Sequence, residues 1–289
     1  MLKPDWIKVK ALSDDSYEKI TSISKKYNLH TVCQEALCPN INECWSNRTA
    51  TFLLMGDICT RNCRFCSVKT GNPEGYLDND EPYKIAQAAK ELNLKYIVLT
   101  SVDRDDLADG GAIHFARTIK EIKKLNKQIL VETLIPGFRG KGIAIESIIE
   151  AQPDVIGHNI ETVERLSPVI RDKKASYYLS LSILKLIKRI NSRIITKSSL
   201  QVGFGESQSE VESALKDLKD HNVDIVTLGQ YLQPTEKQIS VQEYITPEKF
   251  MEYEQYAKSL GFKQVIAAPL VRSSYKAAEA FVLSKCNFN

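Results

Sequence analysis

The sequence predicts an α/β fold, a partial (β/α)6 TIM-type barrel with N-terminal and C-terminal extensions, and three observations predict it. Short apolar runs recur along most of the chain. Lys/Glu-rich segments with apolar residues at helical spacing lie between them, and polar or glycine residues close several of the runs. At 289 residues, 43% hydrophobic and 26% charged, the chain can bury a core of the size such a fold needs.

Residues 1–50 are polar and irregular, with one helix expected from about Asp14 to Tyr27, capped by Ser13 or Asp14. They read as an N-terminal extension. From Thr51 onward six buried strands are expected: FLLMG (52–56), YIVLT (96–100), ILVETLI (129–135), DVIGHNI (154–160), SLQVGFG (199–205) and DIVTLG (224–229). Helical spacing marks Pro82 to Leu92, Ala112 to Leu125 and Glu210 to His221 between them. Regular alternation argues for parallel strands, and Thr100-Ser101, His158-Asn159 and Gly203-Phe204-Gly205 at strand ends suit the catalytic rim of a barrel. A doubly wound open sheet would give the same alternation. No Pro/Gly/Ser-rich linker interrupts the chain, so the barrel is expected over residues 51–262 and a C-terminal extension over 263–289.

The net charge of +3 is the difference of 39 basic and 36 acidic residues spread along the chain, which gives no basic stripe for nucleic acid. No run of about 18 apolar residues occurs, and the start MLKPDWIKVK lacks the apolar stretch of a signal peptide. A soluble, cytoplasmic protein without a membrane or nucleic-acid partner is expected. Six of the seven cysteines (Cys33, Cys38, Cys44, Cys59, Cys63 and Cys66) fall within 34 residues, and Cys286 stands apart as a free thiol. In so large a chain, clustering of this kind points to metal or cluster ligation rather than to a disulfide scaffold.

Cys59-x-x-x-Cys63-x-x-Cys66 follows the first strand. Three thiolates hold three corners of a 4Fe–4S cube and leave one iron open to an exogenous molecule. Structural zinc is the competing reading, but it prefers four closed ligands in paired sets, and no histidine lies nearby in sequence. Cys33-x-x-x-x-Cys38-x-x-x-x-x-Cys44 is wider spaced and gains weight from standing beside the first triad. Of the histidines, only His158 sits at a strand end; His30, His114 and His221 read as solvated or packing groups. Gly203-Phe204-Gly205-Glu206 lacks the full glycine fingerprint of a dinucleotide loop.

The narrow triad, with Phe65 before its last cysteine, resembles the radical S-adenosylmethionine (SAM) superfamily. With the wide triad, LTSVDRDDLADGG (99–111), PGFRG (136–140), HNIETV (158–163), VTLGQYLQP (226–234) and RSSY (272–275), the chain resembles the lipoyl synthase family from about Cys33 to Tyr275. The resemblance implies two 4Fe–4S clusters. Cys59, Cys63 and Cys66 would hold the SAM-binding cluster, and Cys33, Cys38, Cys44 and Ser274 an auxiliary cluster sacrificed as sulfur donor. It implies radical insertion of two sulfurs at the sixth and eighth carbons of a protein-bound octanoyl chain. The carrier would be a dehydrogenase-complex lipoyl domain or a glycine-cleavage H protein; a flavodoxin or ferredoxin would give electrons, and an iron–sulfur carrier would rebuild the auxiliary cluster.

For SAM itself, Asn159 and Glu161 suit the ribose hydroxyls, Thr100, Ser101 and Asp103 the ammonium, and Lys197 and Arg171 the carboxylate; either base could instead be a surface charge. Three positions depart from the family pattern: Ser199 and Gln201 replace the usual glycine and methionine, and Gln238 a common histidine. Other two-cluster radical enzymes and a zinc-stabilised binding barrel are the rival readings.

Overall fold

The computed structural model describes residues 3–7, 15–46 and 50–274. The expected caps Ser13 and Asp14, and Cys286, lie outside them. The chain forms two compact units: Val9–Asn62 with Ser67–Asp154, and Met1–Lys8 with Cys63–Cys66 and Val155–Asn289.

The first unit opens with α1 (Asp15–Tyr27), whose apolar face buries Ile20 and Ile23. A short strand, β1 (His30–Thr31), leads into α2 (Val32–Glu35), where the Thr31 hydroxyl caps the helix by accepting the Gln34 N–H. In α3 (Ile41–Ser46), fully buried Trp45 packs on the Tyr17 ring of α1 at 4.9 Å between centroids. Strand β2 (Thr51–Leu54) is buried at every residue. It stops two residues short of the expected end because Met55 and Gly56 turn to positive φ, with the Met55 N–H held by the buried Glu81 carboxylate.

The short pair β3 (Ile58–Cys59) and β4 (Lys69–Thr70) then brackets the narrow cysteine loop. There follow α4 (Glu81–Glu91), β5 (Tyr96–Ser101), α5 (Ala112–Leu125), β6 (Leu130–Leu134) and α6 (Gly142–Glu150). β2, β5 and β6 pair in parallel and in chain order, and β1 lies antiparallel on the free edge of β2. That edge pairing is what ties the wide cysteine triad to the sheet.

The second unit repeats the pattern: β7 (Val155–Gly157), α7 (Ser167–Ile170), α8 (Tyr177–Ile190), β8 (Ile195–Val202), α9 (Gln208–Asp220), β9 (Ile225–Gln230), α10 (Pro247–Ser259) and β10 (Gln264–Ala267). Its helices start where the sequence supplies hydroxyl caps. Ser176 opens α8, Thr246 with Pro247 opens α10, and Ser207 with Glu210 forms a reciprocal capping box on α9. Leu181, Leu184, Val211, Leu215 and Phe250 from the helices pack with Leu200, Val202, Val226 and Leu228 from the strands. Each such side chain, taken fully out of water, contributes roughly 1.5–3 kcal/mol.

All four strands are parallel, and each described pairing again joins consecutive strands. Within each unit the order thus runs without reversal, as in a singly wound barrel-type sheet rather than at a doubly wound switch point. The six strands read from the sequence are present. β7 is shorter than expected, β8 begins four residues earlier, and β10 is a further parallel strand the sequence pattern did not mark.

Candidate cluster and cofactor site

In the first unit, the Cys59 sulfur accepts two backbone N–H groups, from Asp103 at 3.3 Å and Arg61 at 3.4 Å. These donors are fixed from several directions. Thr60 donates its N–H and hydroxyl to the Asp103 carbonyl, and its hydroxyl accepts the Asp105 N–H. The buried Arg61 guanidinium pairs with the carboxylates of both Asp103 and Asp105, and Arg139 clasps Asp105 from the other side. The DRDD and PGFRG motifs therefore meet here to hold the peptide that faces Cys59.

At the end of β5, Thr100 donates its hydroxyl to the Leu134 carbonyl, while the Ser101 hydroxyl is buried without a hydrogen-bond partner. In the wide triad, the Cys38 N–H donates to the Cys33 carbonyl and Cys44 sits on the first turn of α3, bonded to Asn40. Burial, reinforced by neighbouring Cys38, pushes the Cys33 thiol up to about 11. The indole N–H of Trp45 is buried without a partner of ordinary hydrogen-bond length, yet it is close enough to Cys33 to favour the thiolate.

In the second unit, the Cys63 sulfur accepts the Asp172 N–H at 3.3 Å. Its tripeptide neighbour Arg64 is strapped at both ends, its N–H to the Ile170 carbonyl and its carbonyl to the Ile239 N–H. The Cys66 carbonyl accepts the side-chain amide of Gln238. Beyond β7, the Asn159 amide donates to Glu161 Oε1 at 3.0 Å, and the Gln201 amide donates to Glu161 Oε2 at 2.9 Å.

Arg171 and Lys197 are both buried, at 9% and 2% exposure, so neither is a surface charge. Arg171 Nη1 donates to the carbonyls of Ile160 and Ser176 and to the Ser180 hydroxyl, which His158 also engages. Burial raises the Glu206 carboxyl above its ordinary range, and that side chain accepts the N–H groups of Gly203 and Phe204. Those amides are thus already bonded to a carboxylate, in keeping with the absence of a dinucleotide loop.

Ser274 follows a segment pressed onto β9. The Pro269 carbonyl accepts the Gln230 N–H, and the Val271 carbonyl lies so close to Gly229 that a Cβ there would stand 2.0 Å from its oxygen.

The radical SAM superfamily profile matches residues 53–218. A lipoyl synthase from Caldicellulosiruptor saccharolyticus is 55% identical over 277 residues, covering 96% of each chain. The chain belongs to the lipoyl synthase family. A second member, from Francisella tularensis subsp. novicida, is 51% identical over 96% of this chain and 85% of its own. Among solved structures, the FeFe-hydrogenase maturase HydG from Carboxydothermus hydrogenoformans superposes with a TM-score of 0.58 over 94% of this chain and 79% of its own, at 15% identity. Coproporphyrinogen III oxidase from Escherichia coli, a radical SAM enzyme, gives 0.52 over 72% and 52%, at 10% identity. These likenesses establish the radical SAM α/β fold, and family membership brings SAM and a 4Fe–4S cluster as cofactors.

The residues fit that chemistry. None of the six described cysteines is in a disulfide, and backbone N–H groups point at Cys59 and Cys63, the arrangement that stabilises thiolate and cluster sulfur. The buried Ser101 hydroxyl has no protein hydrogen-bond partner. The spacing of the cysteines announced the cluster loop. Gln201 and Gln238 stood out in the sequence only as departures from the family pattern, and Arg61 and the Asp172 amide not at all, since nothing local distinguishes a structural amide from a solvated one.

Proposed function

We propose that this chain is a radical SAM sulfurtransferase that inserts two sulfur atoms at the sixth and eighth carbons of an octanoyl chain carried on a lipoyl domain. The observation that carries the reading is 55% identity over 96% of the chain to a curated lipoyl synthase. In this reading residues 1–50 carry the auxiliary-cluster cysteines, residues 51–262 the radical SAM barrel and residues 263–289 the serine ligand. Cys59, Cys63 and Cys66 hold the SAM-binding cluster, and Cys33, Cys38, Cys44 and Ser274 hold the second. When bound, these groups supply a deoxyadenosyl radical to abstract hydrogen and sulfide to replace it.

The protein residues bind and orient. Asn159 and Glu161 receive the ribose hydroxyls, with the Glu161 carboxylate presenting acceptors to both. Thr100, Ser101 and Asp103 offer oxygens to the ammonium of the methionyl end, and the buried bases Lys197 and Arg171 give the positive potential its carboxylate requires. Arg171, whose Nη1 is already engaged by the Ile160 and Ser176 carbonyls, does so at a distance. A hydroxyl is a harder, weaker ligand for iron than a thiolate, so Ser274 marks the labile corner of a cube that is consumed.

The carrier is a dehydrogenase-complex lipoyl domain or a glycine-cleavage H protein, the electron donor a small flavodoxin or ferredoxin, and an iron–sulfur carrier restores the spent cluster in the cytoplasm. The test is an anaerobic incubation with SAM, a reductant and an octanoylated carrier peptide. Mass spectrometry should show the gain of two sulfurs, and a peptide of unchanged mass with SAM consumed would sink the assignment.

A further inference from the structure

We propose that Gln201 is a positioning residue for ribose recognition: its side-chain amide fixes the Glu161 carboxylate so that the unoccupied lone pairs face the two hydroxyls of an adenosyl ribose. The inference rests on reading Glu161 as the ribose acceptor and adds to it the group that orients that acceptor.

Glu161 is unusually constrained. Its backbone sits at φ +67°, the left-handed region that a glutamate rarely adopts without something holding it there. It is kept there by two backbone bonds to β8: its N–H to the Ser199 carbonyl at 3.2 Å, and its carbonyl to the Gln201 N–H at 2.8 Å. A parallel bridge to Leu200 continues the β7–β8 pairing to this point. The side chain is then gripped by two amides, Asn159 on Oε1 and Gln201 on Oε2.

A carboxylate has about four lone-pair sites, so these two bonds leave about two, one on each oxygen. A vicinal diol presents two O–H donors and matches them. Gln201 therefore ties the acceptor to the sheet through its backbone and its side chain at once. A methionine at position 201 would have no N–H to donate and would leave the carboxylate held by Asn159 alone, through Oε1.

The test uses the anaerobic, cluster-loaded enzyme and an unreactive probe, S-adenosylhomocysteine, with its 2′-deoxy and 3′-deoxy analogues, measured by isothermal titration calorimetry. In the wild type, loss of a hydroxyl that contacts Glu161 should weaken binding about tenfold or more, as for a charge-assisted hydrogen bond. Gln201→Met should shrink that penalty several-fold while iron content and the cluster's electron paramagnetic resonance signal stay unchanged. Gln201→Ala should do the same, which separates the lost amide from any packing effect peculiar to methionine.

Glu161→Gln is the control. If it removes the deoxy penalty while both Gln201 variants keep the wild-type ratio, the positioning role is overturned and the ribose reading stands. If Glu161→Gln also keeps the ratio, the ribose reading itself has failed, and the role of Gln201 falls with it.

Discussion

At the scale of single residues, two sulfurs of the narrow triad, those of Cys59 and Cys63, are held by backbone donors. The N–H groups of Asp103 and Arg61 converge on Cys59, and that of Asp172 reaches Cys63. Under the proposed ligand assignment the two kinds of ligand separate by assay. Cys63→Ala should abolish release of 5′-deoxyadenosine, whereas Ser274→Ala should still release it and fail to complete sulfur insertion. Chromatography of the nucleoside alongside mass spectrometry of the peptide reads both, and normal lipoyl yield from the serine variant would remove Ser274 from the ligand set. The cysteines were legible because thiols crowd a sequence only for a chemical reason. Their supporting amides were not, because a backbone N–H carries no residue identity. Gln238 illustrates the same limit: its hold on the Cys66 carbonyl joins positions 172 residues apart, a distance no local pattern encodes.

At the scale of elements, the strands of the second unit are joined at their starts by Asp224. Its carboxylate accepts the Thr196 N–H of β8 and pairs with both Lys188 of α8 and Lys263 just before β10. Burial opposes its ionisation, but the two lysines win and the carboxyl lies below its ordinary range. A depressed acid contributes stability that is present above the unfolded pKa of about 3.9 and is lost as pH falls through the folded value. Asp224→Asn should therefore cost about 3 kcal/mol at neutral pH, since it removes the counter-charge of the nearly buried Lys188. The thermal midpoint should drop by roughly 6–12 °C. The difference from wild type should narrow in melts taken progressively below pH 4; a constant difference across that range would place the effect elsewhere.

The same region shows where strand reading succeeds and fails. YIVLT was legible because five of its six strand residues are buried on both faces and apolar enough to form a run. The start of β8 was hidden because buried Thr196, Lys197, Ser198 and Ser199 break the apolar run where the sheet turns polar side chains inward. β10 escaped notice because only alternate residues of its four are buried. Buried polar side chains are thus what erases the hydrophobic signal at β8.

At the scale of the whole molecule, no helix among the described residues is long and apolar enough to cross a membrane, and the charge is nearly balanced. Two filled cubes would give about eight irons per chain in brown, anaerobically purified protein. The pressing of Val271 onto Gly229 bears on that count. One methyl group at residue 229 would act as a wedge, lifting the RSS strap off the floor of β9 while every thiol stays in place. If Ser274 ligates the second cube as proposed, Gly229→Ala should then yield folded protein with about four irons that still cleaves SAM, by metal analysis and nucleoside release. On the proposed assignment of Ser274, the second cube would thus be dismantled from beneath, through a carbon atom that touches neither iron nor sulfur.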